Sequence, residues 1–325
     1  MHPGTAAQEP IVAAAASDAA FLPLTLVVAK SIAATSTTGR PVVLHVLYDG
    51  PDSPMVERIR RWRDPIVEVR LIRHANPWAD VSGLKRLPPS TLHRAAIPDV
   101  LKEHGRAIYL DLDLVVNADL SALFDTDLEG HALGGVVDFP LVNGLLQDTE
   151  GARRKRAYLS DILGLDTAER RARYVQGGVA LLDLEQLRRI GFAQRFDTFV
   201  RRHPTVLLYA DQCATNAILR DDIMLLAPSW NVLAKSQRPG VFERAHPSLH
   251  EAYGAQRAVA SIVHFAGTKP WRSRTVPYGR LWWRYAFQTG IWPAYVPGWI
   301  AGVAGASSAG ITRWRDRRRK RRAVT

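Results

Sequence analysis

The chain has 325 residues, of which 47% are hydrophobic and 23% are charged. This composition excludes a disordered chain, a collagen-like fibre and a small disulfide scaffold, because it supplies enough apolar surface for a core. Lys and Arg outnumber Asp and Glu by 43 to 31, which gives a formal net charge of +12. The segment 312–325 carries eight basic residues against Asp316, a charge of +7, so the rest of the chain carries only +5.

The cysteine content and the N-terminal segment bear on the compartment. Cys213 is the single cysteine, which excludes an internal disulfide and a cysteine-rich metal site and fits a reducing compartment. The apolar run 11–16 is followed by Asp18, and the first lysine or arginine is Lys30. Neither a signal peptide nor a transit peptide is predicted from this pattern, and we expect a cytoplasmic protein.

The first half of the chain alternates short apolar runs with helical patterns, which predicts an α/β fold with a mostly parallel sheet. Strands are predicted at 11–15, 42–47, 67–72, 107–112, 132–137 and 175–182. Helices are predicted at 21–35, 55–63, 90–103, 191–202 and 211–219, and Pro98 is expected to kink or break the third of them. The segment 141–173 is polar, arginine-rich and long for a loop, which favours a lid or an acceptor-binding insertion.

The C-terminal segment has an unusual composition. Residues 285–312 contain no charged side chain, yet they include two prolines and five glycines and no leucine, which favours an interfacial segment over a membrane span. Trp282, Trp283, Trp292, Trp299 and Trp314 lie close to the basic tail in the sequence. Tryptophan beside arginine is typical of surfaces that rest among anionic lipid headgroups, so we predict membrane association; a solvated, disordered tail is the alternative.

The segment 108–116 is an apolar run interrupted by Asp111 and Asp113. On a strand, two residues at this spacing project to the same side. Unpaired carboxylates are costly in an apolar setting, and carboxylate oxygens are the ligands that Mg²⁺ and Mn²⁺ prefer. The pair therefore indicates a metal that bridges a substrate diphosphate, and a strand that emerges into solvent is the alternative.

The segment 261–271 ends a short apolar run at His264 and continues through Gly267 and Lys269 to Pro-Trp. Gly267 permits close approach of the backbone to a ligand, Lys269 can place its ammonium group on a phosphate, and neutral His264 can complete a metal site. Taken alone, His264 is also compatible with a structural role in a core.

Together, the two segments resemble the metal-binding and diphosphate-binding ends of glycosyltransferase family 8, the retaining nucleotide-sugar transferases. Further stretches match that family in the same order along the chain, at 16–18 with 21–23, at 91–95, at 174–184 and at 211–212. The resemblance implies a Rossmann-like nucleotide-sugar-binding domain of the GT-A type over residues 1–275. The remaining residues, 276–325, are then a membrane-associating aromatic and basic extension.

The resemblance also implies the ligands of the site. Asp111, Asp113 and His264 are implied to hold Mn²⁺ or Mg²⁺. Contacts to a UDP-sugar donor are implied for Asp18, Arg94, Asp111, Leu112, Asp113, Gln176, Gly177, Gly267 and Lys269.

Three further residues are implied to act at the sugar. Gln212 is expected near the anomeric carbon, and Asp211 and Asp138 are expected to orient the sugar hydroxyls. From the residues alone, Asp211 as a helix N-cap and Asp138 as a turn cap remain alternatives.

These features predict a metal-dependent hexosyltransferase that uses UDP-glucose or UDP-galactose. The acceptor is expected to be a saccharide or a lipid-linked saccharide such as a lipopolysaccharide core, and the enzyme is expected on the inner face of the cell membrane. Two alternatives are a nucleic-acid-binding protein that uses its basic tail, and another metal-dependent phosphoryl-transfer or hydrolytic enzyme. No nucleic-acid-binding motif accompanies the tail, so we do not expect nucleic acid as a partner.

Overall fold

A computed structural model describes residues 9–82, 88–203 and 205–301. Ten strands are found, β1 (Ile11–Ser17), β2 (Val42–Tyr48), β3 (Val67–Arg73), β4 (Arg106–Leu110), β5 (Leu114–Val116), β6 (Leu133–Val137), β7 (Val175–Asp183), β8 (Ile223–Leu225), β9 (Val232–Leu233) and β10 (Ile262–His264). Six of them correspond to the predicted strands. The predicted strand 107–112 ends at Leu110, two residues earlier than expected.

Seven strands form the main sheet, in the order β3-β2-β1-β4-β7-β6-β8. Strands β3, β2, β1 and β4 are parallel, β7 is antiparallel to both of its neighbours, and β6 is parallel to β8. The apolar run of β1 is buried along almost its whole length, as expected for a strand covered on both faces. The prediction of a mostly parallel, mixed sheet is confirmed.

Twelve α-helices accompany the sheets in the described ranges: α1 (Leu24–Thr35), α2 (Pro54–Arg60), α3 (Ile97–Val100), α4 (Ser121–Phe124), α5 (Phe139–Leu145), α6 (Glu150–Asp161), α7 (Ala168–Ala172), α8 (Leu184–Arg189), α9 (Phe192–Arg202), α10 (Ala210–Leu219), α11 (His250–Ala258) and α12 (Gly279–Gln288). Four predicted helices are confirmed with shifted ends. The predicted helix 90–103 is instead a 3₁₀ helix, Pro89–Ala96, followed by the single turn of α3. Pro98 lies in the first turn of α3, where its missing N–H is harmless.

A small second sheet, in the order β5-β10-β9, lies beside the end of β4. Strand β5 continues the chain from β4 after a short bend and pairs antiparallel with β10, so that Leu114 lies opposite His264. Strand β9 is parallel to β10 and places Leu233 beside His264. This sheet brings residues from distant parts of the chain to the same edge of the main sheet.

The segment 141–173 contains most of α5 and all of α6 and α7, and it is anchored to the body of the fold. Leu159, Leu163 and Leu165 are buried. The backbone N–H of Leu208 donates to the Tyr158 hydroxyl (3.3 Å), which ties α6 to the loop before α10.

The C-terminal helix α12 packs on the same core as the sheet. Trp282 is completely buried, and Tyr285 and Ile291 are also buried. The prediction that Trp282 rests among lipid headgroups is therefore wrong, because its ring lies inside the protein against Trp271. Within the described residues, no helix is both long enough and apolar enough to cross a membrane. The basic tail and Trp314 lie outside those residues, and the boundary at residue 275 stays a prediction.

Candidate active site

A cavity of about 400 Å³ lies where β1 and β4 end, on the carboxyl side of the parallel strands. Ligands of open α/β sheets bind on this side. Every residue singled out for the site lines this cavity: Asp18, Arg94, Asp111, Leu112, Asp113, Asp138, Gln176, Gly177, Asp211, Gln212, His264, Gly267 and Lys269.

Asp111, Asp113 and His264 form a compact cluster at the base of the cavity. His264 Nε2 lies 3.5 Å from Asp111 Oδ2 and 3.2 Å from Asp113 Oδ1. One ligand atom from each residue can be chosen so that all lie within 4.8 Å of one another, and no other described residues form such a group. The two aspartates occupy the bend between β4 and β5, so the bend and the pairing of β5 with β10 bring the three side chains together. The prediction that Asp111 and Asp113 project to the same side of one strand is wrong, because β4 ends at Leu110 and β5 begins at Leu114.

Cations neutralise this cluster. The Lys269 ammonium group contacts the Asp113 carboxylate and donates to the Phe265 carbonyl oxygen (3.1 Å). Burial alone would raise the pKa of Asp113, but His264 and Lys269 outweigh burial and hold that pKa well below its usual range. Asp113 is therefore ionised at neutral pH.

Arg94 joins both ends of the cavity. Its guanidinium group lies 2.8 Å from Asp111 Oδ1 and 3.1 Å from Asp211 Oδ2, and it donates to the Gly177 carbonyl oxygen at 2.6 Å. It also stacks over the ring of Tyr109, 4.5 Å from the ring centroid. Burial opposes the charge of Arg94, but Asp111 and Asp211 outweigh burial and keep its pKa above the usual value. All of these contacts fix Arg94 in one orientation.

The start of α10 contributes Asp211 and Gln212. The Gln212 side chain donates to Asp138 Oδ2 (3.0 Å) and accepts from the backbone N–H of Gly177 (3.1 Å). Burial raises the pKa of Asp211 to about 6, although Arg94 lowers it. Ala210, just before them, has a left-handed backbone (φ +39°), which is uncommon outside glycine. Backbone strain of this kind is typical of functional sites.

Two aspartates also have structural roles. Asp138 Oδ1 caps α5 by accepting from Leu141 N at 3.0 Å, so the cap alternative holds for one of its oxygens while the other contacts Gln212. Asp18 accepts from Phe21 N (2.9 Å) and from Ser90 Oγ (3.1 Å), which ties the end of β1 to the 3₁₀ helix that carries Arg94. Asp211 lies in the first turn of α10, and no side-chain cap bond is found there.

Asn231 belongs to the site, although no sequence pattern pointed to it. Its Nδ2 donates to Gln176 Oε1 (2.6 Å), and its Oδ1 lies 3.1 Å from His264 Nδ1. Gln176 Oε1 also accepts from the Gly178 backbone N–H (2.6 Å). With Nδ1 donating to Asn231, the Nε2 lone pair of His264 faces the two aspartates, as a metal ligand requires.

The backbone at Gly178 lies so close to His264 and Asp111 that only glycine fits at this position. A Cβ atom at this position would collide with the His264 ring and would lie 2.8 Å from Asp111 Oδ2. Any larger residue would therefore displace the cluster.

The donor set suits a hard divalent cation. Two carboxylates and one imidazole are ligands that Mn²⁺ accepts, and Mg²⁺ prefers the oxygens among them. The contact of Lys269 with Asp113 shows independently that a cation is favoured at this point.

The doubly wound sheet with this cluster at the ends of its strands defines a glycosyltransferase fold of the GT-A type. The chain belongs to glycosyltransferase family 8, because the family described as Glycosyl transferase family 8 matches residues 12–275. General stress protein A of Bacillus subtilis (strain 168) is 30% identical over 268 residues, which are 77% of this chain and 84% of that protein.

Two further similarities concern named glycosyltransferases. Lipopolysaccharide 1,2-glucosyltransferase of Escherichia coli (strain K12) is 22% identical over 189 residues, which are 58% of this chain and 50% of that protein. The crystal structure of the galactosyltransferase LgtC with donor and acceptor sugar analogues superposes with a TM-score of 0.70 at 20% identity and covers 86% of this chain and 96% of that chain. The family implies a transferase with a nucleotide-sugar donor and a saccharide acceptor, and the predicted fold class is confirmed.

Proposed function

We propose that this protein is a metal-dependent hexosyltransferase that moves a sugar from a UDP-sugar, UDP-glucose or UDP-galactose, to a saccharide or glycolipid acceptor. One observation carries the proposal: Asp111, Asp113 and His264 lie together with Lys269 in a cavity at the ends of the parallel strands. The reaction belongs to the synthesis of lipopolysaccharide or another cell-surface glycan, and it proceeds with retention of the anomeric configuration.

The leaving group determines what the site must supply. Asp111, Asp113 and His264 would hold Mn²⁺ or Mg²⁺, which supplies positive charge where the charge of the departing diphosphate grows. Lys269 lies in the loop that follows His264. Its ammonium group can donate a hydrogen bond to a diphosphate oxygen. Asp18, Leu112, Gln176, Gly177 and Gly267 are proposed to complete the contacts to the donor.

The sugar end of the cavity is built differently. Hydrogen bonds to Asp138 and from the Gly177 N–H fix the orientation of the Gln212 side chain. Its amide group is proposed to lie against one face of the sugar. Asp211 and Asp138 are proposed to accept hydrogen bonds from sugar hydroxyls. The bond between the anomeric carbon and the phosphate oxygen breaks, the acceptor oxygen forms the new bond from the same face, and the acceptor proton passes to the departing phosphate oxygen.

The direct experiment is a donor panel. The purified protein is incubated with several UDP-sugars and Mn²⁺, and release of UDP is measured with and without a chelator. We expect turnover of one UDP-hexose, which the chelator abolishes. If no UDP-sugar is turned over and UDP itself does not bind in the presence of Mn²⁺, the proposal is wrong; salt-sensitive DNA binding would instead support the nucleic-acid alternative.

We also propose that the enzyme works as a peripheral protein on the inner face of the cell membrane. Residues 252–315 contain no Asp or Glu and eight Lys or Arg. Arg272, Arg274, Arg280 and Arg284 are exposed, and none of them forms an ion pair with any described residue. An acid-free basic surface of this kind complements anionic phospholipid, and each such residue contributes about 1 kcal/mol near a charged bilayer.

Apolar side chains accompany these arginines. A groove of about 610 Å³ is lined by Arg274, Arg280, Trp283, Phe287 and Trp299. Phe287 is 55% exposed and Trp292 37% exposed, which suits contact with the interfacial layer of a bilayer.

Vesicle sedimentation tests this surface in the full-length chain. Replacing Arg274 and Arg280 by Gln should weaken binding to vesicles that contain phosphatidylglycerol. The matched control replaces Arg195 and Arg202 of α9, which are also exposed and form no ion pair with a described residue. If the wild-type protein bound neutral phosphatidylcholine vesicles as well as those with phosphatidylglycerol, this surface would have no such role. The same conclusion would follow if both double variants lost vesicle binding equally.

A further inference from the structure

The cavity contains one cation that the site described so far does not use. Lys235 lines the cavity from the 3₁₀ helix Ala234–Gln237, which follows β9 directly. Arg94 and Lys269 also line it, but both already contact carboxylates. Lys235 is exposed, and it forms no hydrogen bond or ion pair with the residues that the structure describes.

The small sheet determines where Lys235 lies. Leu233 pairs with His264, and the two strands are parallel. Lys235, two residues after Leu233, therefore lies beside the loop that follows His264. A Cβ atom at Gly267 would lie 3.8 Å from Cδ of Lys235, so the aliphatic stem of the lysine passes over Gly267. Gly267 itself has φ +93°, a conformation that glycine favours. The stem of Lys235 thus lies beside the segment that also carries Lys269.

The charge of the cavity shows why another cation is needed. Five carboxylates line it, those of Asp18, Asp111, Asp113, Asp138 and Asp211. Arg94, Lys269 and a divalent cation together supply four positive charges against these five, before any substrate enters. A nucleotide diphosphate adds more negative charge, and it would have to bind a cavity that is already negative. Lys235 is the remaining cation on the described cavity wall.

We propose that Lys235 binds the diphosphate of the nucleotide donor as a further cation, beside Gly267. This inference rests on the proposed function, because it assumes that a nucleoside diphosphate occupies the cavity. An ammonium group that is free in the protein loses no internal ion pair when it meets a phosphate. Lys269, in contrast, already contacts Asp113. Lys235 therefore provides the first contact for the incoming diphosphate.

The test compares binding of UDP with binding of uridine, which lacks the phosphates, by calorimetry in the presence of Mn²⁺. For Lys235→Gln we expect UDP to bind at least about tenfold more weakly, which corresponds to about 1.4 kcal/mol, because a hydrogen bond between charged groups is lost. Uridine should bind unchanged. Lys235→Arg should keep UDP affinity within about threefold of the wild type, because it keeps the charge.

The matched control is Lys102→Gln, which removes an exposed lysine that is also without a partner among the described residues and does not line the cavity. UDP affinity should be unchanged in this variant. Unchanged UDP affinity in Lys235→Gln, or an equal loss for UDP and uridine, would overturn the inference while leaving the proposed function intact. If the wild-type protein fails to bind UDP with Mn²⁺, the proposed function itself has failed.

Discussion

Lys269 contacts the same Asp113 carboxylate that is proposed to hold the metal. One carboxylate therefore has two competing partners, a lysine of the chain and a divalent cation from solution. The lysine is also held by the Phe265 carbonyl oxygen, which keeps its ammonium group at this point of the cavity. We expect a metal ion to weaken the contact of Lys269 with Asp113, because both cations share the charge of one carboxylate, and the ammonium group can then turn to the diphosphate.

This competition predicts opposite effects of Lys269→Gln on metal binding in two conditions. Without nucleotide, the variant should bind Mn²⁺ several-fold more tightly than the wild type, because no ammonium group competes for the charge of the Asp113 carboxylate. With UDP present, it should bind Mn²⁺ more weakly, because the diphosphate loses a cationic partner. Electron paramagnetic resonance of free Mn²⁺ measures both affinities, and a change in the same direction in both conditions would contradict the exchange.

Asp113→Asn should abolish metal-dependent turnover and leave the fold intact. Loss of a preorganised electrostatic contact of this kind typically costs about 10² to 10³ in rate. Turnover is measured with saturating Mn²⁺, and circular dichroism checks the fold. Activity like that of the wild type in a folded variant would remove Asp113 from the metal site.

Asn231→Ala should weaken Mn²⁺ binding without removing a ligand. Asn231 holds the His264 ring through Nδ1, and loss of such a partner typically costs about 10-fold to 100-fold in metal affinity. Asn231→Asp should restore part of the affinity, since its carboxylate can also accept from Nδ1. If both variants bind Mn²⁺ as the wild type does, His264 is oriented by other contacts.

Gly178→Ala should destabilise the protein and disturb the metal cluster, because the added methyl group would collide with His264. Overpacking of this kind costs about 1 to 3 kcal/mol of unfolding free energy. Gly254→Ala is the control, since a Cβ atom on that helical residue meets no described atom within 4 Å and should stabilise by up to about 1 kcal/mol. Urea unfolding compares the two, and equal stability of both variants would show that the site can expand.

Acid should destabilise the fold through two buried histidines. Burial, with help from His104 and Arg70, lowers the pKa of His45 to about 4, and burial together with His74 lowers that of His93 to about 4. Because the unfolded chain titrates near pH 6.5, it binds more protons than the folded protein between pH 6.5 and 4. Stability is therefore lost as the pH falls through this window, by up to about 3 kcal/mol for each imidazole.

Urea unfolding at a series of pH values measures this loss. Neither ring nitrogen of His45 forms a hydrogen bond with a residue that the structure describes, so His45→Leu should flatten the pH dependence. An unchanged slope between pH 6.5 and 4 in His45→Leu would show that the loss arises elsewhere.

Six strands and four helices could be predicted because each is an unbroken apolar run or a clear helical period. Strands β5, β9 and β10 have only two or three residues, too few to show a period, and their existence depends on pairing between distant segments. Helix α12 was missed for another reason. Trp282, Tyr285 and Ala286 recur at helical spacing, but the nearby arginines also fitted a lipid-facing surface.

Some residues of the candidate site could be predicted from the sequence, and others could not. Asp111, Asp113 and His264 belong to residue types that bind hard cations, and they lie in segments with a family resemblance. Asn231 and Lys235 carry no such signal, since an isolated asparagine or lysine is most often a solvated surface residue. Their positions follow from β9 pairing with β10 and cannot be read from local sequence.

The small sheet also determines when the proposed metal site can form as the protein is made. Asp113 and His264 are 151 positions apart, and β5 can pair with β10 only after residue 264 has left the ribosome. The main sheet needs only residues up to β8, so most of it can assemble earlier. A nascent or prematurely terminated chain that ends before β10 would carry the two aspartates without their histidine, so the proposed metal site would be incomplete in it.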